Sequence, residues 1–215
     1  MKTRWAVLIL CAACRAAAPP PPVSRAFPAV GTTMSAAAWG ADTTRVGGAL
    51  DAVRDTLDRP GQVVLPDSVR REIRQRTGVT VTAEDATDGD ALDRAARVLS
   101  GVVDSALLNI GTQFTWVGAR ETRRPVGIAD PANSLTTWAT VEMRSGSVST
   151  TSNADKKVSV TVLAPSGLVA EAWSTALLGL GCDRALALSS SVVCADSVRV
   201  RWTPDLEGRV LLAKP

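Results

Sequence analysis

"VSVTVLAPSGLVAEAWSTALLGLGCD", Val158 to Asp183, decides how the rest of the chain is read. Val158, Val160 and Val162 alternate with polar residues, the period-2 pattern of a strand, and Pro165 ends it. Past the proline, Val169, Ala172, Trp173, Ala176, Leu177 and Leu180 recur at i, i+3, i+4 and i+7 spacing. That spacing predicts an amphipathic helix packed on a core. Near its start stands Glu171, with Thr175 one turn later, so a carboxylate and a hydroxyl share one helical face. An apolar helix with this polar pair directly after a strand raises the question of what the pair is for.

Working outward, the N-terminus does not read as part of a folded domain. Met1 to Arg4 is short and basic, and "WAVLILCAA" (Trp5 to Ala13) is apolar but too short to span a bilayer. The layout is that of a secretory signal peptide or a lipoprotein leader over residues 1–18, with Cys14 as the candidate lipid anchor. A Pro-rich spacer is read over 19–28 and one domain over 29–215. The chain is therefore expected to be exported, to the periplasm or cell envelope, possible membrane anchoring included. Cys182 and Cys194 remain in the domain. They form either a disulfide, as an oxidising compartment allows, or two buried thiols.

The 215-residue chain has no histidine, no tyrosine and only two phenylalanines, with a formal net charge of +3. Without histidine there is no Ser-His-Asp triad and no His-ligated zinc, and a metal must be held by oxygens or thiols. Few aromatics and interspersed charges exclude a nucleic-acid stripe, and "RREIRQR" (Arg70 to Arg76) reads as the solvated face of a short helix.

Elements are predicted in order as follows. A strand lies within Ala29 to Gly40, a helix from Thr44 to Leu57, and a second helix ending at Gly78. Val79 to Ala83 reads as a short strand, and "DGDALDRAARVLSG" as a helix closed at Gly101. Strands follow at Ser105 to Gly111, in "RPVGIADP", in "WATVEMRSGSVSTTS" and in "KKVSVTVLAP". After the helix of the opening stretch come a short helix in "CDRALALSS" and strands in "SVRVRWTP" and "GRVLLA". Helices interleaved with mostly antiparallel strands make this a single α+β domain, a mostly antiparallel sheet with packed helices.

Four stretches together resemble the FAD:protein FMN transferases, the ApbE flavin transferase family. "VGTTMS" (Val30 to Ser35) is similar to the family's Met-Gly-Thr strand, with Val30 at the methionine, a cofactor-binding position. "DGDALDRAARVL" is similar to the end of its Asp-Leu-Gly-Gly-x-x-Lys-Gly-x-x-x-Asp segment, with Gly89 and Asp93 in register. "ALLNIGTQ" and "PVGIADP" resemble its Asn-Leu-Gly-Gly strand and Ile-x-Asp-Pro. "VTVLAP" followed by "AEAWSTALLGLG" resembles a valine-rich strand, Ala-Pro and Ala-Asp-Ala-x-x-Thr-Ala.

The resemblance implies an ApbE-like fold, FAD as substrate and Mg²⁺ as cofactor. It also implies an acceptor flavoprotein whose Thr or Ser hydroxyl receives FMN. The metal ligands it implies are Glu171, Thr175 and the position of Asp85, where the family offers a main-chain carbonyl. Two hard oxygens one helical turn apart suit an octahedral edge of Mg²⁺. The plainer reading is a Glu favoured by the helix dipole and a Thr packed by its methyl.

The departures are specific. Glu171 replaces the family's Asp, Thr82 replaces another, and Asp88, at a cofactor-binding position, replaces a Lys. "AEDATDGDALD" also reads as an acidic cap on the following helix. A His-x-x-Asp-Pro segment and most of a helical region are missing. Asp85, Asp88 and Asp155 are the acids available as a base, and none is assigned the role. The alternative is a non-catalytic exported envelope protein on the same fold, binding flavin or a protein partner.

Overall fold

Val158 and its neighbours form a strand as expected, and the chain turns at Pro165 straight into the helix carrying Glu171. The computed structural model describes residues 21–59, 61–118 and 124–213. The leader, including Cys11 and Cys14, lies outside the described residues.

In chain order the elements begin with the hairpin β1 (Val23–Ala29) and β2 (Thr32–Trp39), then α1 (Thr43–Leu57) and α2 (Asp67–Thr77). A 3-10 turn (Glu84–Ala86) leads into α3 (Thr87–Leu99), followed by β3 (Ser105–Ile110) and β4 (Gln113–Val117). Next come β5 (Arg124–Asp130), β6 (Asn133–Met143), β7 (Gly146–Asn153) and β8 (Val158–Ala164). The chain continues through α4 (Gly167–Leu178), α5 (Cys182–Leu188), β9 (Val192–Ala195), β10 (Val200–Trp202) and β11 (Val210–Leu212).

Eight strands form one sheet in the order β1-β2-β3-β4-β7-β8-β9-β10, and β11-β6-β5 form a second. Every pairing between described strands is antiparallel. The α+β class expected from the sequence is the class observed.

Alternation along the strands creates three layers. Met34, Ala36, Leu108 and Ile110 face α1 and α3, whose Leu50, Val53, Leu92 and Leu99 close the first core. Val160 and Val162 face α4, where Trp173, Ala176 and Leu177 pack with Ile73 of α2. On the opposite face Trp116, Val148 and Val193 meet Ile128, Val141 and Met143 of the small sheet. Helices thus cover one face of the large sheet and the three-stranded sheet covers the other.

Two expectations need correction. The spacer read over 19–28 ends sooner, because Val23–Ala29 is β1, paired in register with β2. Phe27 and Ala29 are buried there, and Pro28 is tolerated because β1 is an edge strand. The hairpin turns at Val30 and Gly31, both at positive φ (49° and 74°), the backbone that a two-residue hairpin turn requires. Val79 to Ala83 is not a strand, although Val81 is buried. The Thr82 N–H and Oγ1 bond Asp85 Oδ2 at 2.8 and 2.9 Å, so a local turn takes the donor that a ladder would use. Strands β4 and β9 were not read at all.

Cys182 and Cys194 form a disulfide that ties the first residue of α5 to β9. Their separation of 12 residues gives the expected consequence. Replacing both cysteines with serine should lower stability by about 3 kcal/mol, read by denaturant unfolding of the oxidised and double-mutant proteins.

Candidate active site at the α3–α4 junction

Helices α3 and α4 approach each other at their N-terminal ends through two glycines. A Cβ built on Gly89 would lie 2.3 Å from the carbonyl carbon of Gly167, and one on Gly167 would lie 2.7 Å from the Gly89 carbonyl oxygen. Only hydrogen at both Cα atoms permits this approach. Four residues after each glycine stands an acid, and each acid caps the other helix. Asp93 of α3 accepts the N–H groups of Gly167 (2.7 Å) and Leu168 (3.0 Å), at the start of α4. Glu171 of α4 accepts the Gly89 N–H at 2.7 Å through Oε2, in the first turn of α3. Helix α3 has no side-chain cap of its own, so Glu171 fills that place from outside.

The two acids are held differently. Burial raises the Asp93 carboxyl, opposed by the Leu168 and Gly167 N–H groups and by the Ser166 hydroxyl. Glu171 is pushed up to about 7, first by burial, against hydrogen bonds from the Gly89 N–H and the Gln113 side chain. The negative charge of Asp88 pushes it further the same way. Asp88 is itself raised by burial. The junction therefore carries two half-buried carboxylates in mutual repulsion, with no histidine anywhere in the chain to relieve them.

The implied ligands are distributed around this point. Thr175 is half-buried one turn beyond Glu171 on α4. Asp85 sits in the 3-10 turn that packs on α4, but its carboxylate is turned back onto Thr82, leaving its main chain for the role the resemblance gives that position. Asp88 faces Glu171. Val30 stands apart on the exposed β1–β2 turn, two strands from β4 in the sheet order and so roughly 10 Å away across the sheet. Among the described residues no cluster of three or more Cys, Asp or Glu side chains could hold a metal alone. Asp88 and Asp90 lie in the first turn of α3, in keeping with the acidic-cap reading, and Asp90 pairs with Arg94 at 3.1 Å.

One residue at the junction was missed in the sequence. Gln113, the first residue of β4, is 5% exposed, and its side chain favours the charged form of Glu171 from the sheet side. The signal was present: Gln113 and Thr115 alternate with Phe114 and Trp116, which puts the polar pair on one face of a strand. Hydroxyls continue that face: Thr115 bonds Ser147, and Ser149 and Thr151 both bond Ser174 of α4.

Removing the Asp93 cap tests how far the junction depends on it. Asp93→Ala leaves two N–H groups without an acceptor and should cost about 2 kcal/mol in denaturant unfolding, while Asp93→Asn, which keeps one acceptor, should cost less.

No family profile matches the sequence, and no curated protein matches it. Solved structures do. A point mutant of the flavin transferase ApbE from Vibrio cholerae superposes with a TM-score of 0.64 at 14% identity, over 88% of this chain and 100% of that one. The flavinyl transferase ApbE from Pseudomonas stutzeri, in its apo form, gives 0.60 at 15% identity, over 88% of this chain and 98% of that one. The ApbE protein from Thermotoga maritima gives 0.61 at 13% identity, over 87% and 99%. With a large antiparallel sheet, helices on one face and a strand–turn–helix carrying Glu171, the chain has the fold of the ApbE flavin transferases.

Proposed function

We propose that the chain is an exported, Mg²⁺-dependent flavin transferase that moves the FMN part of FAD onto a Thr or Ser hydroxyl of a target flavoprotein. The observation that carries this reading is the pair of half-buried oxygen side chains, Glu171 and Thr175, one turn apart on α4 at its junction with α3, with the negative charge of Asp88 nearby. The donor set fits such a cation, since carboxylate, hydroxyl and carbonyl oxygens suit Mg²⁺ and the chain offers no imidazole. Glu171 and Thr175 would hold it, with the main chain at Asp85 and the substrate's phosphate oxygens completing the shell. When bound, Mg²⁺ would supply charge stabilisation to phosphoryl transfer.

In the reaction, the acceptor hydroxyl oxygen bonds to the FMN-side phosphorus as the bond to AMP breaks, and the hydroxyl proton is released. Asp88 makes the cation obligatory in this chain. Where a lysine would attract phosphate, its carboxylate repels it, so FAD should bind only with Mg²⁺ present. Without the missing His-x-x-Asp-Pro segment FAD is less firmly oriented, and turnover is expected below roughly one per second. The test is incubation with FAD, Mg²⁺ and a small Thr-bearing acceptor, read as in-gel flavin fluorescence. A fluorescent acceptor band lost in EDTA supports the transferase.

A second reading is a non-catalytic exported protein on this fold, binding flavin or a protein partner. The bond from the Gly89 N–H to Glu171 Oε2 favours it, because that contact already gives the carboxylate a structural task. Bound FAD without any acceptor labelling would select it. Export itself draws on the leader and on the Cys182–Cys194 disulfide, which suits an oxidising compartment. Cys14 would be the lipidated residue, and protein recovered from the cell envelope should begin past Met1. Intact Met1 on that protein would contradict export.

A further inference from the structure

Gln113 is buried to 95% of its surface by its place at the head of β4, opposite Ile110 of β3 and Ser149 of β7. Ser149 Oγ bonds Ser174 Oγ of α4 at 3.0 Å, so this row of the sheet lies under α4. From there the Gln113 side chain lies near enough to Glu171 to favour its charged form. Its Oε1 is buried and has no hydrogen-bond partner. A buried amide oxygen left without a partner is costly and uncommon in folded proteins.

We propose that Gln113 is a further oxygen ligand of the divalent cation held at Glu171, reaching it from the sheet side through Oε1. The inference rests on the cation reading of Glu171 given above. A primary amide has a donor end and an acceptor end that exchange places by a half-turn of the terminal torsion. In the protein alone, a charged Glu171 favours the NH₂ end on its side, and the amide oxygen has no hydrogen-bond partner. With a cation on Glu171 the preference reverses: the NH₂ end is repelled and the oxygen is attracted. The charge at Glu171 therefore decides which end faces it. Gln113 supplies a third side-chain oxygen, beside Glu171 and Thr175, from a rigid strand rather than from a helix or loop.

Mn²⁺ binding to the full chain, followed by loss of the free-ion electron paramagnetic resonance signal, tests this with Gln113→Leu and Gln113→Glu. The melting temperature of each protein in EDTA is read alongside. The ligand role predicts Mn²⁺ binding at least tenfold weaker in Gln113→Leu. It predicts wild-type or tighter binding in Gln113→Glu, and a Gln113→Leu melting temperature in EDTA equal to or above wild type, since an unpartnered polar end is removed. Equal affinity in wild type and Gln113→Leu would overturn the ligand role and leave the cation at Glu171 standing. A Gln113→Leu protein that melts lower in EDTA and binds weakly, without recovery in Gln113→Glu, would overturn it as a packing effect. Wild-type protein that binds no Mn²⁺ would remove the cation reading of Glu171 and this inference with it.

Discussion

Glu171→Ala is expected to lower Mg²⁺-dependent flavin transfer by about a thousandfold or more, because metal stabilisation of developing charge contributes several kcal/mol and each 1.4 kcal/mol is tenfold. The same substitution should leave the metal-free protein folded. Glu171 has a folded-state value of about 7 against an ordinary 4.5, so its proton is held more tightly in the folded chain. The stability this contributes is fully present below 4.5 and is lost as pH rises through 7. In EDTA, wild-type stability should therefore fall over that window by an increment that Glu171→Gln abolishes, as measured by melting temperature against pH. Mg²⁺ should restore the wild type above pH 7 and have no effect on either mutant. A Glu171→Ala protein with undiminished transfer would reduce the carboxylate to a helix cap.

Gly89→Ala has the second large effect, on folding rather than chemistry. The added Cβ would sit 2.3 Å from the Gly167 backbone, and backbone cannot swing aside as a side-chain end can. Helices α3 and α4 must part, and both exchanged caps lengthen together. The expected loss is about 3 kcal/mol from overpacking and weakened hydrogen bonds, or roughly 6–12 °C in melting temperature for a chain of this size. Gly48→Ala is the control, since a Cβ there meets nothing within 4 Å. Equal melting temperatures for the two variants would show that the junction is not close-packed.

The strand–helix unit from Val158 to Leu178 was legible because two periods meet at one proline, and its helix is buried along most of its length. The hairpin strand β1 was not, because a proline tract runs into it and Pro28 sits inside it. Only its edge position allows that proline, and edge position is a property of the finished sheet. Val79 to Ala83 misled for the opposite reason: good β residues with no strand beside them to pair. At the site, Glu171 and Thr175 could be singled out from spacing, but the exchange of caps could not. It joins Gly89 to Glu171 across 82 positions and Gly167 to Asp93 across 74. A trace of it is visible afterwards, in Gly89 with Asp93 and Gly167 with Glu171, each an acid one helical turn past a glycine. Gln113 is hard to single out because β4 follows β3 after only a two-residue turn and its alternation runs for just five residues.

The proposed divalent cation at the α3–α4 junction would sit on the Glu171 carboxylate. Calorimetric titration of Mg²⁺ into the FAD-containing protein at pH 6 and pH 8 tests this. Because a carboxyl near 7 must release its proton to bind the ion, affinity should rise about tenfold between the two, with proton uptake by the buffer at the lower pH. Absent or pH-independent Mg²⁺ binding would contradict it.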